Sequence, residues 1–107
     1  MFTKHSDGGY IIALKGISRK TLVYGEKTLM TEFFLEKGNS IPGHSHPHEQ
    51  TGYLVEGKLR FTIGSEVIDA ESGDSWCIPS DEMHGAEVME DSTVIEIFSP
   101  LREDYLP

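Results

Sequence analysis

Short runs in which apolar and polar residues alternate, each followed by a turn signal, set the strongest limit on how this chain can fold. The runs are Thr28–Leu35, Thr51–Val55, Leu59–Ile63, Glu66–Ala70, Ser75–Ile78 and Thr93–Phe98. The turn signals are Lys37-Gly38-Asn39, Glu56-Gly57-Lys58, Gly64-Ser65, Ser72-Gly73-Asp74 and Glu90-Asp91. Alternation with period two predicts strands, and helical spacing is nowhere sustained. Many short strands joined by short turns predict an all-β antiparallel barrel or sandwich.

Length and composition limit the class of protein. At 107 residues, the chain has room for one domain covering residues 1–107. The longest apolar run, Tyr10–Leu14, is too short to cross a membrane, and the N-terminus lacks the pattern of a signal peptide. We therefore expect a cytoplasmic protein.

Charge and cysteine content limit the partners and the chemistry. A net charge of −9 argues against nucleic acid and anionic membranes as partners. The one cysteine, Cys77, excludes an internal disulfide and is expected in the core.

Four of the five histidines fall in two segments, and their spacing predicts a metal site. His44, His46 and His48 lie within five residues, and His84 follows downstream. In an extended segment, side chains at i and i+2 point the same way, so His44 and His46 can direct both rings at one point. A first-row metal needs further donors, and Gln50 and His84 are the best placed by type and position. A surface cluster of histidines without function is the alternative.

Two neighbours are weaker candidates for ligands. Glu49 is an odd number of residues from His46 and therefore favours the opposite face of an extended segment. His48 has the right parity, but it follows Pro47, which bends the chain. Three His donors and one neutral Gln donor would leave the full charge on a divalent transition metal ion, and they suit Ni, Zn, Fe or Mn.

Two spaced motifs resemble the signature motifs of the cupin superfamily. The first reads G-x5-H-x-H-x3-Q-x6-G over 38–57, and the second reads G-x5-P-x4-H over 73–84. The resemblance implies a small cupin β-barrel of the jelly-roll or double-stranded β-helix type, with the metal in its mouth. Gln50 stands where cupins usually have a glutamate ligand, and Asp81 and Val88 stand where they usually have Gly and Asn. Function varies widely in this superfamily, so the fold alone does not decide it.

The C-terminal run Glu96–Leu106, together with His44–Gln50 and Phe61–Gly64, resembles a narrower group. These are the single-domain cupins that linearise unsaturated uronates in pectin and alginate breakdown, opening a 4,5-unsaturated monouronate to 5-keto-4-deoxyuronate. Their pattern has an acidic residue, an aromatic residue two positions on and an arginine four positions further. Glu96, Phe98 and Arg102 occupy these positions here, although the acid of the group is usually Asp.

The resemblance implies a catalytic role for each of these three residues on a sugar-acid substrate. Glu96 would shuttle a proton, Arg102 would hold the substrate carboxylate with two hydrogen bonds, and Phe98 would form a wall for the sugar ring. Other roles stay open. Arg102 is the only basic residue among twelve acidic ones in 61–107, so it can also be a structural ion-pair partner. Glu96 can also be a solvated strand residue.

Two other functions and the state of assembly also stay open. Three histidines with a neutral fourth ligand can hold Fe(II) in a dioxygenase, which would need open metal positions rather than Glu96. A barrel that only binds a metal or a small molecule is the other alternative. Small cupins usually pair through sheet edges, and the edge strands of a small barrel must be covered, so we expect a homodimer.

Overall fold

The computed structural model describes all 107 residues and consists almost wholly of β-strands, as predicted. The strands are β1 (Ile11–Leu14), β2 (Ile17–Tyr24), β3 (Leu29–Leu35), β4 (Ser40–His44), β5 (Glu49–Ile63), β6 (Glu66–Glu71), β7 (Ser75–Ile78) and β8 (His84–Ser99). The only helical segment is a 3₁₀ turn at Glu103–Tyr105. No helix has the length and apolar character needed to span a membrane.

The sheet is organised around its two longest strands, β5 and β8, which pair antiparallel along nearly their whole length. In one half of this pair, β3 pairs with β8, and β2 and β1 follow β3 in the sheet. In the same half, β7 pairs with β5. The other half is extended by β4 and β6. Both halves contribute to a single apolar cluster, so they face each other across the core. Its buried members are Ile17, Leu35, Leu54, Leu59, Phe61, Ala70, Ala86, Val88 and Val94.

Two predicted turns, Glu56-Gly57-Lys58 and Glu90-Asp91, are wrong, and both belong to the same bend in the β5–β8 pair. The strands run through these positions with shifts in register. Gly57 has a φ of +117°, and a Cβ on it would lie 2.1 Å from Ser92 Oγ. The Lys58 N–H also donates to Ser92 Oγ at 3.1 Å. Glycine is therefore needed where the bent strands approach most closely, and it does not end either strand.

The alternation pattern did not identify β2, because its inner face is partly polar. Arg19 pairs with Phe33 and Thr21 pairs with Thr31, so both lie on the face that β3 directs toward the interior. The C-terminal segment covers this polar stretch. The Thr21 hydroxyl donates to the Tyr105 carbonyl at 2.5 Å, and the Arg19 guanidinium lies 3.9 Å from the centre of the Tyr105 ring. Contacts from a distant segment thus replace the apolar row that a strand normally shows.

Cys77 is exposed, so the prediction that it fills the core is wrong. Side chains of β7 alternate between the two faces of the sheet. Trp76 and Ile78 take the inner face, and Cys77 between them is directed outward.

Candidate active site

Three histidines converge at one end of the barrel. His44 is the last residue of β4, and it pairs directly with His84, the first residue of β8. His46 lies in the loop between β4 and β5, so the prediction that it shares a strand with His44 is wrong. The rings still come together as predicted, because potential ligand atoms of the three side chains all lie within 4.8 Å of one another.

The backbone fixes which ring nitrogen of each histidine is free. Each Nδ1 lies beside a carbonyl oxygen two residues away, and a carbonyl can only accept a hydrogen bond. The pairs are His44 with Pro42 at 3.0 Å, His46 with His48 at 3.0 Å and His84 with Glu82 at 2.8 Å. Nδ1 therefore donates, and each neutral ring keeps a lone pair on Nε2. This is the tautomer in which backbone carbonyls hold metal-binding histidines.

Burial favours the neutral form of two of these rings. It lowers the pKa of His46 and of His84, and the positive charge of Arg102 lowers both further. Neutral imidazole is the form that binds a metal, because a protonated ring has no lone pair to offer.

The position of Gln50 gives a test of whether a cation fits here. Its Oε1 lies 2.7 Å from His46 Nε2, and the residue is only 6% exposed. Since His46 donates through Nδ1, its Nε2 lone pair faces the oxygen lone pairs of Gln50 at this short distance. A divalent cation bound by both atoms would turn this repulsion into two attractive contacts. The donors His44, His46, Gln50 and His84 therefore fit a metal ion.

The two weaker candidates do not join this cluster. Glu49 is exposed. His48 supports His46 through its backbone carbonyl, and its ring is not part of the group of converging donors.

Glu96 is a buried acid, not a solvated strand residue. It lies on β8 directly between Thr31 of β3 and Gly52 of β5, and it is 6% exposed. The Trp76 indole N–H donates to its Oε1 at 3.2 Å, whereas its Oε2 is buried without a protein partner. Burial raises the pKa of Glu96 from 4.5 to about 8, although the Trp76 and Gln50 side chains act in the opposite direction. The carboxyl group is therefore mostly protonated at neutral pH and can act as an acid.

Trp76 and Gly52 support Glu96, and neither was singled out from the sequence. They pair across β5 and β7, and a Cβ on Gly52 would lie 2.2 Å from the indole Nε1. The missing side chain thus provides the space in which the indole reaches the carboxyl group. A glycine inside a strand often marks such a close approach, so Gly52 was the available signal.

Gly52→Ala should therefore displace the Trp76 indole and weaken its contact with Glu96. We expect the free energy of unfolding to fall by about 1–3 kcal/mol, the usual cost of overpacking a core. Because Trp76 is the only tryptophan, a change in its fluorescence maximum reports the displacement directly. Gly25→Ala is the control, since a Cβ there meets no atom within 4 Å. An unchanged spectrum and midpoint of urea unfolding for Gly52→Ala would contradict this account of the site.

The burial of Glu96 also predicts how stability depends on pH in protein stripped of metal with a chelator. Between pH 4.5 and about 8, the folded state holds a proton on Glu96 that the unfolded state releases. Stability contributed by this group therefore falls as pH rises through that range, by up to about 1.4 kcal/mol per pH unit. Urea unfolding at several pH values should show Glu96→Gln gaining stability relative to the wild type as pH rises. A constant difference between the two proteins would contradict the raised pKa.

Phe98 lies next to His46, and Arg102 lies next to Phe98. The Phe98 ring is buried, with its centre 5.8 Å from that of His46. The Arg102 guanidinium carbon lies 5.1 Å from the centre of the Phe98 ring and 4.1 Å from that of Tyr105. Arg102 also forms an ion pair with Asp104, which is the structural role left open for it. Tyr105 and Asp104 were not predicted, because nothing local in the sequence distinguishes them.

A cavity of about 320 Å³ joins the histidines to the acid. His46 does not line it, but the other six predicted site residues do. These are His44, Gln50, His84, Glu96, Phe98 and Arg102. The rest of its wall is mainly apolar, formed by residues such as Phe33, Leu59 and Phe61. An apolar cavity with a few converging polar groups and a perturbed acid is typical of a site for a small molecule.

The chain is similar to known proteins along most of its length. A family model described as cupin domain matches residues 31–99. The pectin degradation protein KdgF of Dickeya dadantii (strain 3937) is 32% identical over 93 residues, which cover 85% of this chain and 84% of that protein.

Solved structures extend this similarity to the fold. KdgF from Halomonas sp. has a TM-score of 0.93 at 30% identity, with 99% of this chain and 98% of that chain covered. An RmlC-like cupin from Shewanella frigidimarina NCIMB 400 has a TM-score of 0.92 at 27% identity, with 98% of this chain and 95% of that chain covered. The predicted barrel is therefore confirmed.

Proposed function

We propose that this chain, which belongs to the cupin domain family, opens the ring of 4,5-unsaturated uronates. The observation that supports this most is Glu96, a buried and mostly protonated acid facing the same cavity as Arg102 and two of the three converging histidines, His44 and His84. The similarity of the chain to a pectin degradation protein supports a role in pectin degradation. Dioxygen chemistry has no comparable need for a buried acid, so the dioxygenase alternative ranks below ring opening.

The reaction is an isomerisation in which protons balance within the substrate. The C1 hydroxyl releases a proton, the bond between C1 and the ring oxygen breaks, and C5 becomes a ketone while C4 gains a proton. Glu96 donates the proton to C4 in its neutral form. The proton released at C1 then restores the neutral acid, so Glu96 ends each turnover as it began.

Other residues of the cavity bind and orient the substrate. Arg102 holds the carboxylate of the uronate, which also offsets repulsion from a protein of net charge −9. Phe98 packs against the sugar ring. His44, His46, Gln50 and His84 hold a divalent metal ion, whose identity stays open among Ni, Zn, Fe and Mn. Such an ion supplies Lewis-acid polarisation of a substrate oxygen.

The test is turnover of unsaturated galacturonate. Metal-loaded protein should remove the absorbance of the enol faster than the spontaneous reaction does, and the product should have the same mass as the substrate. A rate equal to the spontaneous one would refute ring opening. Dioxygen consumption by the Fe(II)-loaded protein, with a product of higher mass, would favour the dioxygenase alternative.

Three other expectations stay predictions. They are a single domain that covers residues 1–107, a homodimer and a cytoplasmic location.

A further inference from the structure

Arg102 is held in place by its own surroundings before any ligand binds. Its guanidinium packs against the rings of Phe98 and Tyr105, and only 16% of its side-chain surface is exposed. Its Nε donates to Asp104 Oδ1 at 3.2 Å, and its Nη2 donates to Asp104 Oδ2 at 2.7 Å. The guanidinium holds the pKa of Asp104 below its ordinary value, so the carboxylate stays ionised.

The atoms of this ion pair leave one edge of the guanidinium free. A guanidinium has five N–H donors, and two of its edges match the geometry of a carboxylate. Asp104 occupies the side edge, formed by Nε and Nη2. The terminal edge, formed by Nη1 and the second hydrogen of Nη2, has no protein acceptor. Because Arg102 lines the cavity, the terminal edge is the one left for a ligand.

The segment that provides Asp104 is itself anchored to the barrel. Asp104 and Tyr105 belong to the 3₁₀ turn, in which the Tyr105 N–H donates to the Arg102 carbonyl at 3.0 Å. The Tyr105 carbonyl accepts from Thr21 of β2, and the Arg19 guanidinium of the same strand also lies over the Tyr105 ring. The position of Asp104 is thus fixed by a strand, and it can in turn fix the guanidinium.

We propose that Asp104 is a positioning residue, which orients Arg102 so that its terminal edge meets the carboxylate of a uronate in the cavity. The inference rests on the proposed function, in which Arg102 binds that carboxylate. Its physical basis is preorganisation. An arginine that is already ordered does not lose its rotamer freedom again when the ligand binds. If Asp104 competed with the substrate for Arg102 instead, its removal would strengthen binding, so the sign of the effect distinguishes the two roles.

Asp104→Asn provides the test, because it keeps the size of the side chain and removes its charge. We expect KM for unsaturated galacturonate and Kd for saturated galacturonate to rise by about tenfold or more, with kcat little changed. Asp104→Glu restores the charge and should recover part of the affinity. Asp69→Asn is the matched control, since Asp69 forms the same two contacts with Nε and Nη2 of Arg60 on the exposed pair β5–β6. The control should change neither constant.

Binding and turnover together separate the failure of this inference from the failure of the proposed function. Calorimetry with saturated galacturonate needs no reaction, so it tests Asp104 even if the wild type turns nothing over. An unchanged or lower Kd in Asp104→Asn, with the fold intact by circular dichroism, would overturn the positioning role. If the wild-type protein does not bind galacturonate at all, the role of Asp104 falls with that of Arg102.

Discussion

Glu96→Gln should lower kcat for the opening of unsaturated galacturonate by about 100-fold or more, the usual range for losing a general acid. Gln has nearly the same shape as protonated Glu and can still contact the Trp76 indole, but its amide cannot release a proton near neutral pH. KM and metal content should change little, because Glu96 is not among the converging donors. Steady-state kinetics at pH 7, with the metal content of each preparation measured, provides the test.

The same strand offers a control for this substitution. Glu87 lies on β8 but is exposed, so Glu87→Gln changes the charge without touching the cavity, and its kcat should match the wild type. Glu96→Asp should have an intermediate kcat, because it keeps an acid but shortens its reach toward the cavity and Trp76. Full activity in Glu96→Gln would show that the proton comes from another group. It would leave ring opening itself standing.

Sequence patterns predicted the parts of this molecule that depend on local rules. Period-two alternation located most of the strands, and the two spaced motifs located His44, His46, Gln50 and His84 before any geometry was known. The convergence of His44 and His46 was predicted from strand parity, although β4 ends at His44. It survives because the loop keeps His46 on the same side, with its Nδ1 held by the His48 carbonyl.

What could not be predicted depends on contacts between distant segments. Gly57 reads as a turn, and only its approach to Ser92 makes it a bend inside a strand. Arg19 reads as a residue for the surface, but its pairing with Phe33 places it on the inner face of β2, where its guanidinium lies over the Tyr105 ring. Trp76 reads as an ordinary core residue until Gly52 is seen to admit its indole next to Glu96. In each case, the role of the residue depends on a contact with a residue of another strand or segment, and the local sequence does not indicate that contact.

His84→Ala should remove most of the affinity for a divalent metal. His84 is the buried member of the three histidines, and its Nδ1 donates to the Glu82 carbonyl, which holds the ring with Nε2 free, so its loss takes away a preorganised donor. Loss of a residue that merely supports a ligand costs about 10–100-fold in metal affinity, and loss of the ligand itself should cost more. Competition with a chelator, using Zn²⁺ or Ni²⁺ as the probe, measures the change.

Two other histidines make this prediction specific. His5→Ala removes an exposed histidine near the N-terminus and should leave metal affinity unchanged. His48→Ala should also change it little, because the contact that orients His46 comes from the backbone carbonyl of residue 48, which the substitution keeps. A large loss in His48→Ala would make its ring a ligand and would revise the donor set. If protein purified without chelator contains no metal and His84→Ala binds as the wild type does, the three histidines do not form a metal site.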